Sequence, residues 1–150
     1  KSLRPITIGR SHIQFLVKKN IAMCAIQKKQ TETGYLNVAT PEVTAFDLVR
    51  YADRAGSLHH VATVLIELSE VIDEEKLVEA AKNEKLIVVQ RLGYLLETYG
   101  AKKVTDPLKF WLSQQKTLFI PLRADKDYRK LLKNKDWRIF VNEKIEVDDV

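Results

Sequence analysis

The 150-residue chain is predicted to fold as α+β, with a mostly antiparallel sheet from N-terminal hairpins and C-terminal strands packed on a central group of about four helices. Three observations predict this. Apolar and polar residues alternate up to Ala39, apolar residues recur at helical intervals from Thr40 to Gly100, and alternation returns after Thr117. Strands, then helices, then strands is the order of antiparallel pairing, not of repeated βαβ units.

From Pro5 the alternation places Ile6 and Ile8 on one face, turns at Gly9-Arg10-Ser11, and returns through Ile13, Phe15 and Val17. A second hairpin is predicted from Ala25 to Thr31 and Tyr35 to Ala39, joined by Glu32-Thr33-Gly34, where glycine supplies the positive φ of a short loop. Lys28 and Lys29 are neighbours and must face opposite ways, so one side of this sheet is expected to be wet.

Thr40 to Gly56 joins the two regimes. Thr40 is expected to cap a helix through its hydroxyl, Pro41 suits the first helical position, Glu42 favours the positive end of the dipole, and Ala55-Gly56 supplies the stop. Ser57 caps a second helix whose residues Leu58, Val61, Ala62, Leu65, Leu68 and Ile72 make one continuous face. Asp73 caps a third, reaching about Asn83. Leu86-Ile87-Val88-Val89 alone reads equally as a strand, but Val88, Leu92, Leu95, Leu96 and Tyr99 keep the helical interval to Gly100. Gly93, in the middle of that helix, predicts close approach of a neighbouring backbone. A short helix is predicted to start at Asp106-Pro107, a strand to run from Thr117 to Leu122, Asp125 to cap a basic turn or two through Lys133, and a last strand to run from Trp137 to Asn142.

Composition narrows the function classes. At 45% hydrophobic the chain has enough apolar mass for one domain's core. No apolar run reaches the roughly 20 residues that cross a bilayer, and KSLRPITIGR lacks the apolar block of a signal peptide, so a cytoplasmic protein with no membrane partner is expected. Cys24, the single cysteine, allows neither an internal disulfide nor a thiolate zinc cage. The first residue is Lys1, and a segment upstream of it is expected.

Charge is segregated. Residues 1 to 31 carry seven cations and no acid, residues 32 to 75 set two arginines against nine carboxylates, and the remainder restores the net +5. The candidate nucleic-acid-binding residues are Arg10, Lys18, Lys28 and Lys29 from the first basic zone and Arg129, Lys130, Lys133, Lys135 and Arg138 from the second. Together they would track phosphates without reading bases. Aromatic residues are not interleaved with these charges, which favours backbone contact over single-strand stacking.

No catalytic or metal-binding constellation appears. His59 and His60 are adjacent and diverge by about 100° on a helix, so they do not chelate as an i, i+4 pair would. There is no glycine-rich phosphate loop and no Gly-x-Ser-x-Gly elbow, and Glu74-Glu75-Lys76 falls at a helix start instead of on a nuclease strand. No cofactor is expected. Asp47, between Phe46 and Leu48, needs exposure or a partner, and Arg50, Arg54 or Arg91 is expected to pair with it structurally.

Four segments carry a family resemblance: PITIGRSHIQF, GYLNVATPEVTAFDLVRYADRAGSLHHVATVLIEL, QRLGYLLETYG and DWRIFVNEKIEVDD. Thr40, Pro41, Glu42, Thr44 and Asp47 match a small-Pro-Glu-x-Thr-x-x-Asp pattern. Arg91, Gly93 and their neighbours match Arg-Leu-Gly-Tyr-Leu, and Trp137 and Asn142 match a closing strand. Over nearly its whole length the sequence resembles the C-terminal region of AbiEi-type antitoxins. The resemblance implies a non-enzymatic regulator and antitoxin of a type IV toxin–antitoxin system, active in bacterial phage resistance. Its functional partner would be a nucleotidyltransferase-like toxin, countered without a stable complex. It also implies a DNA-binding winged helix-turn-helix, which would lie upstream of Lys1 because only strands precede Thr40. The matched motif residues would then be structural. From the residues alone, a stand-alone nucleic-acid-binding or protein-interaction domain and a nuclease-like enzyme stay open, as does the oligomeric state.

Overall fold

Ile6–Ile8 (β1) and Ser11–Ile13 (β2) pair antiparallel, setting Ile6 opposite Ile13 and Thr7 opposite His12, with the Thr7 hydroxyl 3.0 Å from His12 Nδ1. The second hairpin joins Ile26–Thr31 (β3) to Gly34–Ala39 (β4), with Lys28 opposite Asn37 and Lys29 opposite Leu36. These features come from a computed structural model that describes residues 3–19, 21–128 and 131–147. Both expected hairpins form, yet they remain two separate two-stranded sheets. Both faces of the second are wet: Lys28, Lys29, Gln30 and Thr31 are all exposed, and only the Val38-Ala39 end turns inward.

That inward end leads directly into Pro41–Arg50 (α1). Thr40 does not cap it. Its N–H still bonds Ala25 O at 3.2 Å and its ψ is 161°, so the residue finishes the β3–β4 ladder, and its buried hydroxyl oxygen has no partner among the described residues. The Thr44 hydroxyl donates to Thr40 O at 2.9 Å instead. α1 also ends earlier than Gly56, at Arg50. Turn bonds from Arg54 N and Ala55 N to Tyr51 O follow, and Gly56 takes φ +111° where the chain enters the next helix.

Leu58–Ser69 (α2) and Glu74–Ala81 (α3) start on the expected caps. Ser57 Oγ accepts from His60 N, and Asp73 accepts from Glu75 N and Lys76 N. Leu86–Tyr99 (α4) is one continuous helix, as its spacing predicts, and it is buried from Val88 to Leu96 except at Arg91. Lys102–Ser113 (α5) begins earlier than Asp106-Pro107, with Pro107 inside it. The buried stripe Thr105, Leu108 and Leu112 requires that extra turn. The carbonyl that Pro107 leaves unbonded belongs to Lys103, in an exposed first turn where water can meet it.

The C-terminal strands are shorter than alternation suggests: Ile120–Pro121 (β5), Lys133–Asn134 (β6) and Ile139–Phe140 (β7), in the order β5-β7-β6. β5 and β7 are parallel and β6 and β7 antiparallel. The expected basic helical turn after Asp125 is absent from the described residues up to 128, because the Asp125 carboxylate is taken by Arg123 at 2.8 and 2.6 Å and does not cap following N–H groups. The architecture is α+β, with five α-helices and three small sheets among the described residues. One core runs through Phe46, Leu65, Leu77, Leu92, Leu95, Leu108, Trp137 and Ile139, all fully buried. α4 is its axis, touching α1, α2, α5 and β7.

Candidate functional site

Asp47 and Arg50 sit one turn apart on α1 and meet two charges from elsewhere. Lys18, in the segment after β2, places Nζ 2.7 Å from Asp47 Oδ1 and 3.6 Å from Glu84 Oε1. Arg50 Nη2 contacts Glu84 Oε2, and Arg50 Nη1 stands 3.9 Å from Asp47. Two cations and two carboxylates thus balance where the segment after β2, α1 and the α3–α4 connection converge. The Glu84 side chain is only 6% exposed and that of Lys18 11%, so removing Glu84 would leave Lys18 and Arg50 short of a carboxylate in poorly hydrated surroundings. Asp47 is ion-paired, but its foremost partner is Lys18 and not an arginine: Arg50 stands at 3.9 Å, and neither Arg54 nor Arg91 comes within ion-pair distance.

Arg91 serves the other end of the fold, where Nε and Nη2 donate to Pro121 O at 3.3 and 3.1 Å. Its neighbour Gln90, buried, donates to Leu118 O at 2.9 Å and Trp137 O at 3.1 Å, tying α4 to the segments that lead into β5 and β7. Gly93 makes the close approach foreseen for it, but to a side chain and not to a backbone: the Trp137 ring occupies the space a Cβ would need. Trp137 Nε1 donates to Glu97 Oε2 at 2.6 Å, and Lys109 joins Glu97 from α5. Burial works against the Lys109 charge, but the bond and charge of Glu97, with Asp136 at 3.4 Å, hold its pKa above the ordinary value.

Asn142 closes the C-terminal loop. Its Oδ1 accepts from Arg123 N at 2.8 Å, and its Nδ2 donates to Arg123 O at 2.7 Å and Lys126 O at 3.1 Å. Beside it Glu143 receives Lys126 at 3.0 Å, Arg123 at 3.5 Å and His59 Nε2 at 3.3 Å. Burial alone would raise the Glu143 pKa, yet Lys126, Arg123 and His59 together hold it below the usual value. His59 Nδ1 accepts from Glu146 N at 2.9 Å, so the ring is a clasp for the segment after β7. Among the described residues no three His, Cys, Asp or Glu side chains are grouped to hold a metal ion.

The expected phosphate-tracking residues are split. Arg10, Lys28 and Lys29 are exposed on the hairpins, the second of which meets α1 through β4, while Lys133, Lys135 and Arg138 are exposed around the sheet that β7 fastens to α4. Lys133 lies over the rings of Phe119 and Phe140, and Arg138 Nη1 donates to Thr117 O. Lys18 is committed to Asp47 and Glu84, and Arg129 and Lys130 lie outside the described residues. Sequence reasoning missed a cleft of about 720 Å³ bounded by residues 17–19 and 22–25, α1, α3 and α4, whose wall includes Thr40, Glu42, Arg50 and Arg91. Two of the matched motifs therefore meet at one cavity. No local signal marks it, because residues so far apart in sequence do not announce their contact.

No helix among the described residues is long and apolar enough to cross a membrane. No curated protein and no solved structure matches the chain. A family model described as the AbiEi antitoxin C-terminal domain matches residues 2–98. That stretch takes in both hairpins, the four helices α1 to α4 almost entirely, the Thr40–Asp47 motif, and Arg91 with Gly93, while Trp137 and Asn142 lie beyond it. With more than half of its length matched, the chain belongs to the AbiEi antitoxin C-terminal domain family.

Proposed function

We propose that this chain is the effector part of a type IV toxin–antitoxin system of the AbiE kind, counteracting a nucleotidyltransferase-like toxin in the bacterial cytoplasm without forming a stable complex with it. Membership of the antitoxin family over residues 2–98 carries this reading. The position of the motif residues supports it: Asp47 is spent on ion pairs, Gly93 on indole packing and Asn142 on loop closure, which suits a regulator better than an enzyme. A winged helix-turn-helix upstream of Lys1 would supply operon autorepression and, with it, control of phage resistance. The test is co-expression of the chain with the toxin of such an operon. Restored growth with no co-purifying toxin is expected. Failure to restore growth by folded, abundant chain would refute the antitoxin role, and a co-purifying complex would refute its indirect action.

Nucleic-acid contact through the exposed cations is a second reading, favoured by the acid-free run of residues 1–31. Arg10, Lys28 and Lys29 would meet phosphates, with Lys133, Lys135, Arg138 and the neighbouring Arg129 and Lys130 as the second zone. Binding to operator duplex is expected to be weak and to fall as salt rises, and the double variant Lys28→Glu/Lys29→Glu should flatten that salt dependence. Affinity indifferent to salt would rule the reading out.

A further inference from the structure

We propose that the cleft between residues 17–19 and 22–25, α1, α3 and α4 binds a small phosphate ester of mononucleotide size. The charges on its wall carry the argument. Six cations and three carboxylates line it, but they are not equally free. Lys18, Arg50 and Glu84 are satisfied in the network with Asp47, and Glu79 is paired with Lys82. Glu42 is buried with Oε1 accepting from Asp73 N at 2.9 Å. Lys19, Lys76, Lys85 and Arg91 remain, none with a carboxylate in ion-pair distance among the described residues. Arg91 is the telling one, since burial lowers its pKa and its bonds go to a neutral carbonyl, Pro121 O. A guanidinium desolvated without an anion gains from one that enters beside it.

Backbone adds to the same field. The ten-residue α1 and the fourteen-residue α4 both begin at this cleft, at Thr40 and Lys85, and neither has a side-chain cap. Pro41 has no N–H and Glu42 already stands at the positive end of α1, so it is the first-turn N–H groups and dipole of α4 that favour an anion there. Apart from Thr40 and Asn83 most of the remaining wall is apolar, with Val17, Ala22, Val43 and Val49, and Tyr51 contributes a ring. A volume of about 720 Å³ is in the range of small-molecule sites and far exceeds what inorganic phosphate fills. An anionic head on an uncharged, ring-bearing body is the chemistry that uses both parts of the wall, and it is independent of whether the chain acts as an antitoxin.

Calorimetry on the full chain with AMP, inorganic phosphate and a short oligonucleotide decides the matter. AMP is expected to bind saturably and more tightly than phosphate. The exposed double variant Lys76→Glu/Lys85→Glu should weaken AMP by about tenfold or more, as should Arg91→Lys with its melting checked, while Lys28→Glu/Lys29→Glu leaves AMP within about twofold. The proposal is overturned if AMP shows no saturable binding at millimolar concentration, if phosphate binds as well as AMP, if the hairpin variant loses as much as the cleft variant, or if the oligonucleotide alone binds.

Discussion

The indole of Trp137 rests on the bare Cα of Gly93, so closely that a Cβ at that position would stand 1.9 Å from Cζ3. Glycine in mid-helix ordinarily costs about 1 kcal/mol relative to alanine. Here the order reverses, because Trp137 is fully buried and held by Glu97 and cannot retreat. Gly93→Ala is expected to destabilise by about 3 kcal/mol or more, read by denaturant unfolding with Trp137 fluorescence shifted toward that of exposed indole. Unchanged or raised stability would mean that the packing is not tight.

Thr40 gives the opposite sign from its usual role. Replacing a threonine that caps a helix typically costs about 1 kcal/mol, but Thr40 makes no cap bond and its hydroxyl oxygen is buried without a partner. Thr40→Val keeps the shape and removes the unsatisfied group, so stability should hold or rise by about 1 kcal/mol. A loss of that size in thermal or urea unfolding would show that the hydroxyl is bonded in solution.

Within the four-charge network the two acids should differ. Asp47 has a side chain 30% exposed, and its loss leaves Lys18 near Glu84, so Asp47→Asn should cost about 1 kcal/mol. Glu84 is nearly buried and engages both Arg50 and Lys18, so Glu84→Gln should cost about 3 kcal/mol. Equal losses in urea unfolding would argue against the burial difference as their cause.

Acid should loosen the C-terminal loop first. The Arg123 guanidinium, followed by the backbone, holds Asp125 down at about 2 from 3.8, and Glu143 is also lowered. A carboxyl depressed in the folded state contributes stability above its unfolded pKa and loses it as pH falls through the folded one. The loop around Arg123 and Asn142 should therefore open from below about pH 4 toward pH 2, followed through the Asp125 carboxyl resonance. In Arg123→Ala the Asp125 titration should move back up toward 3.8; a titration that stays put would exonerate Arg123.

What the sequence revealed and what it hid divide by distance along the chain. Ser57 and Asp73 were legible as caps because the N–H groups they bond lie two or three residues on. Gly93 announced a close approach, but its partner Trp137 comes from the far end of the chain, and nothing local distinguishes a ring from a backbone there. Asp47 announced a need for a cation, and Arg50 and Arg54 were nearer candidates than Lys18, which arrives from 29 residues upstream. Thr40 looked like a cap because capping is a local rule, and the ladder bond from Thr40 N to Ala25 O overrode it. The cleft was invisible for the same reason, being made wholly of long-range neighbours.

In an antitoxin domain whose shared motifs maintain the fold instead of performing chemistry, a folded variant that breaks a motif ion pair should keep its antitoxic activity. The most direct test is growth of cells expressing the nucleotidyltransferase-like toxin with either the wild-type chain or Asp47→Asn, below the melting temperature of both. The prediction is that both restore growth to the same extent. A folded wild-type chain that does not restore growth, or a folded Asp47→Asn that fails where wild type succeeds, would contradict it.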